Sequence, residues 1–146
     1  MATGQIHCCV CAGAEIPGMK SVNDYIGLEY QDGGRGPDKY DCWGLVRAVR
    51  SEMFGGSLLP SFGTIRPTMC VEFTRHCNEV CDVLQKCGPE PGALVGIFRG
   101  KVCTHVGIVV EIDGLLGVLD TTSKTNSRWM SIPDFDRRYL KVIYYK

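Results

Sequence analysis

Between residues 87 and 92 the chain reads "CGPEPG", and the spacing of its apolar residues changes there. Before this break the spacing is helical. Cys42, Val46, Val49 and Met53 form one stripe, and Cys70, Phe73, Cys77, Val80, Cys81 and Leu84 form another over about Thr68 to Lys86. After it come "ALVGIF", "VCTHVGIVVEI", "GVLDTT" and "YLKVIYY", which are short, rich in β-branched residues and read as strands. The tight breaks "RGK" and "DG" point to antiparallel hairpins between the first three. Helices first and strands afterwards predict an α+β domain, with the helices packed on one face of a mostly antiparallel sheet.

The remaining segments fit around these elements. "SVNDYIGLEY" predicts a short helix opening near Ser21, and "QDGGRGPDK" reads as a loop. "TTSKTNS" is read as a polar loop and "DFDRRYLK" as an exposed turn leading into the last strand. Residues 1–20 are read as a cysteine-rich arm and residues 21–146 as the folded domain. The arm lacks the basic start and the long apolar core of a signal peptide, so none is expected. Nine cysteines cannot all pair internally, and reduced thiols are the expectation. In the arm, Cys8, Cys9 and Cys11 with His7 do not follow the usual zinc or iron–sulfur spacings, and a flexible or partner-bound arm is preferred to a metal site. A formal net charge of zero without a basic stripe argues against nucleic acid, and no apolar run suits membrane insertion.

Within "YDCWGLVRAVR", Asp41 is placed to cap a helix and Cys42 falls in its first turn. Free N–H groups and the helix dipole favour a thiolate there, hence a nucleophile. On position alone, a small buried core cysteine is the better reading of Cys42. The strands supply a base. If Asp113-Gly114 is a two-residue hairpin loop, Ile112 pairs with Leu115, Gly107 lies opposite Asp120 and His105 opposite Thr122. His105, Asp120 and Thr122 then share a face, with Gly107 giving room above the sheet. Gly44 would leave the backbone beside the thiol open to substrate. Cys103 is the rival thiol, because alternation puts it on the His105 face, but it has no helix terminus to activate it.

In order, "YQDGG", "DCWGLV", "HVGIV" and "VLDTT" resemble the NlpC-type cell-wall cysteine endopeptidases, which have a papain-like core. The resemblance runs from about Tyr25 to the end of the polar loop. The wording of "YIGLEYQDGGR" and "DCWGLVR" is closest to the branch encoded in phage tail modules. It implies Cys42 as nucleophile, His105 as general base and acid, and Asp120 as the group that orients the imidazole. Tyr30 would be a substrate- or oxyanion-side hydroxyl, with Asp41 and Trp43 beside the nucleophile and the Cys42 N–H as an oxyanion donor. No metal and no cofactor are implied.

The implied activity is hydrolysis of amide bonds in peptidoglycan stem peptides during cell-wall penetration. Other tail-tip proteins would be partners, and the location a virion tail made in the host cytoplasm. The alternatives are a structural tail-tip subunit with a vestigial site, and an acyltransferase or deamidase on the same core. Three positions depart from the pattern. Asp120 stands where His is common, Ala93 where "PGD" would place an acid, and Trp43 where free-standing enzymes carry Ser.

Overall fold

The computed structural model describes residues 20–63 and 65–146, so the arm lies outside the described residues except for Lys20. A short 3₁₀ turn, Val22–Tyr25, opens after Ser21, as the sequence predicts. Helix α1 spans Cys42–Phe54 and stops at Gly55, whose φ of 65° is left-handed. Its inward face carries Leu45, Val46 and Val49, each fully buried. Burying each such side chain stabilises the fold by about 1.5–3 kcal/mol relative to exposure.

Helix α2 spans Cys70–Val83, shorter at both ends than the expected range of about Thr68 to Lys86. Leu84 is extended, and Gln85 exchanges two backbone hydrogen bonds with Lys146 at 2.9 and 2.8 Å. Sheet pairing thus takes over the last residues of the stripe. Phe73, Cys77 and Val80 are buried, whereas Cys70 is exposed.

The strands are β1 (Lys86–Cys87), β2 (Leu94–Arg99), β3 (Val102–Ile112), β4 (Leu115–Thr122), β5 (Asn126–Ser131) and β6 (Val142–Tyr145). They form one sheet in the order β1-β6-β2-β3-β4-β5, every neighbouring pair antiparallel. Two elements depart from the sequence reading. Asn126 and Ser127, the end of the expected polar loop, open an edge strand that runs on to Ser131, and Ile132–Arg138 form a short helix, α3, where "DFDRRYLK" reads as an exposed turn. Ser131 caps α3 by accepting from the Asp134 N–H, and Phe135 is fully buried beneath it.

Both faces of the sheet are therefore covered. Leu94, Val106, Ile108, Val110 and Leu119 pack with the buried residues of α1 and α2. Val95, Ile97, Val109 and Val118 pack on the other side with Phe135. The fold is α+β, with the two N-terminal helices on one face and α3 closing the second.

The β3–β4 hairpin has the predicted register, Ile112 with Leu115 through Ile108 with Leu119. The β2–β3 pairing does not run straight. Ile97 pairs with His105 but Phe98 with Cys103, so Thr104 is an extra residue in β3. One extra residue inverts the alternation beyond it. Cys103 joins Val106, Ile108 and Val110 in the helix-side core, and His105 does not.

Candidate active site

The loop before α1 is held together by one buried carboxylate. Asp41 Oδ1 accepts from the Gly44 N–H at 2.8 Å and from Arg35 Nη1 at 2.7 Å. Its Oδ2 accepts from the Gly33 N–H at 3.1 Å. Asp41 is fully buried, and both its oxygens are occupied. It caps the helix as predicted but presents nothing to a substrate. Arg35 also donates to the carbonyls of Ser61, Phe62 and Ile65, tying the segment before α2 to the same point. Sequence reasoning gave Arg35 no role, since nothing in a Gly-rich loop marks which cation turns inward.

Gly44 was expected to open an approach to the thiol. Instead a side chain there would collide with the carbonyl oxygen of Gly34, so the position lets the loop pack onto the helix start. Gly107 is similar: a Cβ there would sit 2.6 Å from Val118 Cγ1. Both glycines serve close packing of protein against protein.

Cys42 is the first residue of α1 and 2% exposed, and it lines a cleft of about 550 Å³. Tyr30, His105, Thr121, Thr122 and Tyr139 line the same cleft. The Cys42 N–H donates to no acceptor among the described residues, as befits the open end of a helix.

The imidazole of His105 is nearly enclosed, and its Nε2 lies 2.8 Å from Asp120 Oδ2. That leaves Nδ1 for the thiol. Burial opposes a charge on this ring, but hydrogen bonding to Asp120 and to Cys42, together with both their charges, outweighs it. The His105 pKa is pushed up to about 10. The imidazolium is therefore the form held at neutral pH.

Asp120 is 1% exposed, and its second oxygen faces Arg128 Nε at 3.6 Å, an ion pair too long to be a hydrogen bond. Arg128 is the direct cross-strand partner of Asp120 on β5. The sequence reading gave Arg128 no role, because it placed no strand after the polar loop that ends at Ser127. The signal was present, since a tight turn at Ser123 to Thr125 pairs Thr122 with Asn126 and so Asp120 with Arg128. Thr122 bonds Thr125 across that turn at 2.8 Å and is not part of the His105–Asp120 relay.

Tyr30 is anchored by its N–H to Asn126 Oδ1 at 3.1 Å. Burial, then the charge of Cys42, raises its phenol pKa, so the hydroxyl stays protonated beside the thiol. Trp43 departs from expectation. Its indole is 2% exposed, donates to the Pro60 carbonyl at 2.8 Å and packs on Phe62, away from the cleft. Cys103 is turned to the core, where a hydrogen bond with Cys77 and burial push the Cys77 thiol far above its ordinary range. Asp32 pairs with Arg66 and Asp41 with Arg35. Among the described residues, no group of three His, Cys, Asp or Glu side chains could hold a metal, and no helix is long and apolar enough to cross a membrane.

A thiol at a helix start, set against a histidine–carboxylate pair on an antiparallel sheet, is an arrangement compatible with the papain-like class of cysteine hydrolases. The chain matches the NlpC/P60 family over residues 27–144 and belongs to it. This is a family of cysteine peptidases that act on peptidoglycan. The match includes Tyr30, Cys42, His105 and Asp120. A comparison with curated proteins found no significant relative.

Proposed function

We propose that this protein is a cysteine endopeptidase that hydrolyses amide bonds in peptidoglycan stem peptides, with Cys42, His105 and Asp120 as its catalytic residues. The observation that carries the reading is the imidazole held through Nε2 by a buried Asp120 at 2.8 Å, with its other nitrogen left to a thiol at a helix terminus. In the first step the Cys42 sulfur attacks the amide carbonyl carbon. The developing oxyanion is stabilised by the Cys42 N–H at the open helix end. The His105 proton passes to the leaving nitrogen, the C–N bond breaks and a thioester remains. His105 then takes a proton from water, hydroxide adds to the thioester and the acid product leaves with the thiol restored. Asp120 keeps the ring in the productive orientation throughout.

Mass analysis of muropeptides after incubation with purified peptidoglycan tests this. New peptide ends are expected with the native chain and none with Cys42→Ala. Equal digestion by both would refute the assignment.

We further propose that the protein works in a phage tail, made in the host cytoplasm and delivered with the virion. The likeness of "YIGLEYQDGGR" and "DCWGLVR" to tail-encoded members supports it. The protein should then co-sediment with assembled tails. One observation favours a second reading, a structural tail-tip subunit with a vestigial site: the Cys42 side chain is 2% exposed, which restricts access of a polymer. Recovery in tails with no turnover of any muropeptide would select that reading. Transfer of the acyl group to an added amine in preference to water would select an acyltransferase.

A further inference from the structure

The cleft does not end at His105. Beyond Thr104 and Tyr139 it continues into an annex of about 360 Å³ between the β2–β3 turn and the segment after α3. Arg99 borders both spaces, while Arg138 and Lys141 border the annex. No Asp or Glu lines either one. This is a local excess of positive charge in a chain whose formal net charge is zero.

The three cations are also free of carboxylates. Lys141 Nζ donates to the Gly100 carbonyl at 3.1 Å and lies 5.6 Å above the Phe98 ring. Arg138 sits 5.9 Å from the centre of the Tyr139 ring. Arg99 pairs with Val102 through its backbone, and its side chain has no hydrogen-bond or ion-pair partner among the described residues. Elsewhere Arg35, Arg66 and Lys146 each have an acid.

The annex lies on the imidazole's side of the cleft, since the Tyr139 ring is 6.3 Å from that of His105. In amide hydrolysis by a thiol and an imidazolium, the leaving amine must meet the imidazolium. The half of the substrate released as an amine therefore extends toward Arg99.

We propose that the annex is a carboxylate-binding subsite for the amine-side half of the substrate, with Arg99 as its main specificity-determining residue. It selects peptides that carry a free carboxylate on the residue donating the scissile nitrogen or just beyond it. A planar guanidinium with all its donors uncommitted suits such a group. This rests on the hydrolase reading above, so its test has an arm that does not need turnover.

Two synthetic stem peptides, differing only in a carboxylate or a carboxamide at the amine-side end, are compared by kcat/KM. The native chain should prefer the acid by about tenfold, and the preference should shrink as salt rises. In Arg99→Gln the ratio should approach one, and in Arg99→Glu it should fall below one. No preference in the native chain, or an unchanged ratio in Arg99→Glu, overturns the proposal. If neither peptide is cleaved the hydrolase reading fails, and calorimetry decides the annex. The amine-side acid peptide should bind the Cys42→Ala protein more tightly than its amide, and Arg99→Glu in that background should abolish the difference. Equal binding of acid and amide overturns the subsite whatever the enzyme does.

Discussion

Cys42 and Cys103 are 2% and 1% exposed, and both lie close to His105. Cys103 reaches its backbone carbonyl, Sγ to O at 3.6 Å, while Cys42 lines the same cleft as its ring. Burial thus does not separate a candidate nucleophile from a core thiol. What separates them is the company each keeps. Cys42 has the open end of α1, an imidazole and a cleft. Cys103 has a second thiol, Cys77, and apolar side chains. A single extra residue in β3, Thr104, turned the rival inward and left His105 to the cleft.

The contrast breaks most sharply under alanine substitution. Cys42→Ala should reduce kcat/KM on a stem peptide by on the order of 10⁴-fold or more. Cys103→Ala should keep kcat/KM within about threefold while lowering stability through a small core cavity. The reverse pattern would make Cys103 the nucleophile. Alkylation followed by peptide mapping offers a second view, because Cys42 should be modified before Cys103 in the folded chain.

The next effect concerns the frame that points Cys42 at the cleft. The Arg35 side chain is 14% exposed and that of Asp41 fully buried, and removing one partner of such a pair leaves a buried charge alone. Arg35→Ala should cost about 3–5 kcal/mol, a fall in Tm on the order of 10 °C. A chain that melts within a degree or two of the parent would show that the loop is held by something else.

Asp120 distinguishes the two thiols electrostatically. After the burial that opposes charge, its hydrogen bond is the largest influence on His105, and it raises the pKa. Replacement by Ala should lower kcat/KM by about 10²-fold. It should also move the alkaline limb of the pH profile down from about 10. The sign follows from linkage: a folded-state pKa raised above the ordinary value near 6.5 stabilises the protonated, folded form. That stability is fully present below about pH 6.5 and is lost as pH rises through about 10. An alkaline limb unmoved by Asp120→Ala would detach Asp120 from the imidazole.

Much of this arrangement was readable in the sequence, and for identifiable reasons. The cap at Asp41, the helix from Cys42 and the hairpin that sets His105 beside Asp120 are local. Each follows from a turn, a period or a register over a dozen or so residues. What could not be read depends on distant chain. Arg35 turns inward because the carbonyls of Ser61, Phe62 and Ile65 await it. The strand holding Arg128 has no alternation, since it is an edge whose burial comes from contacts with β4. The helix under the sheet is seven residues long, too short for an apolar period to emerge. The bulge at Thr104 leaves no mark in composition at all.

Trp43 is the smallest and finest test, because it adjoins the thiol in sequence and departs from it in space. Its indole N–H bonds the Pro60 carbonyl, and its ring packs on Phe62 with centroids 5.3 Å apart. Trp43→Phe keeps an aromatic ring but deletes one buried donor, leaving that carbonyl unpaired at a cost of about 1–3 kcal/mol. Tm should fall by a few degrees. KM and kcat on a stem peptide should each stay within about twofold, because no part of the indole borders the cleft. A change in KM well beyond that, with Tm unmoved, would mean the indole meets substrate after all, and the departure from serine at this position would then be a matter of specificity and not of packing.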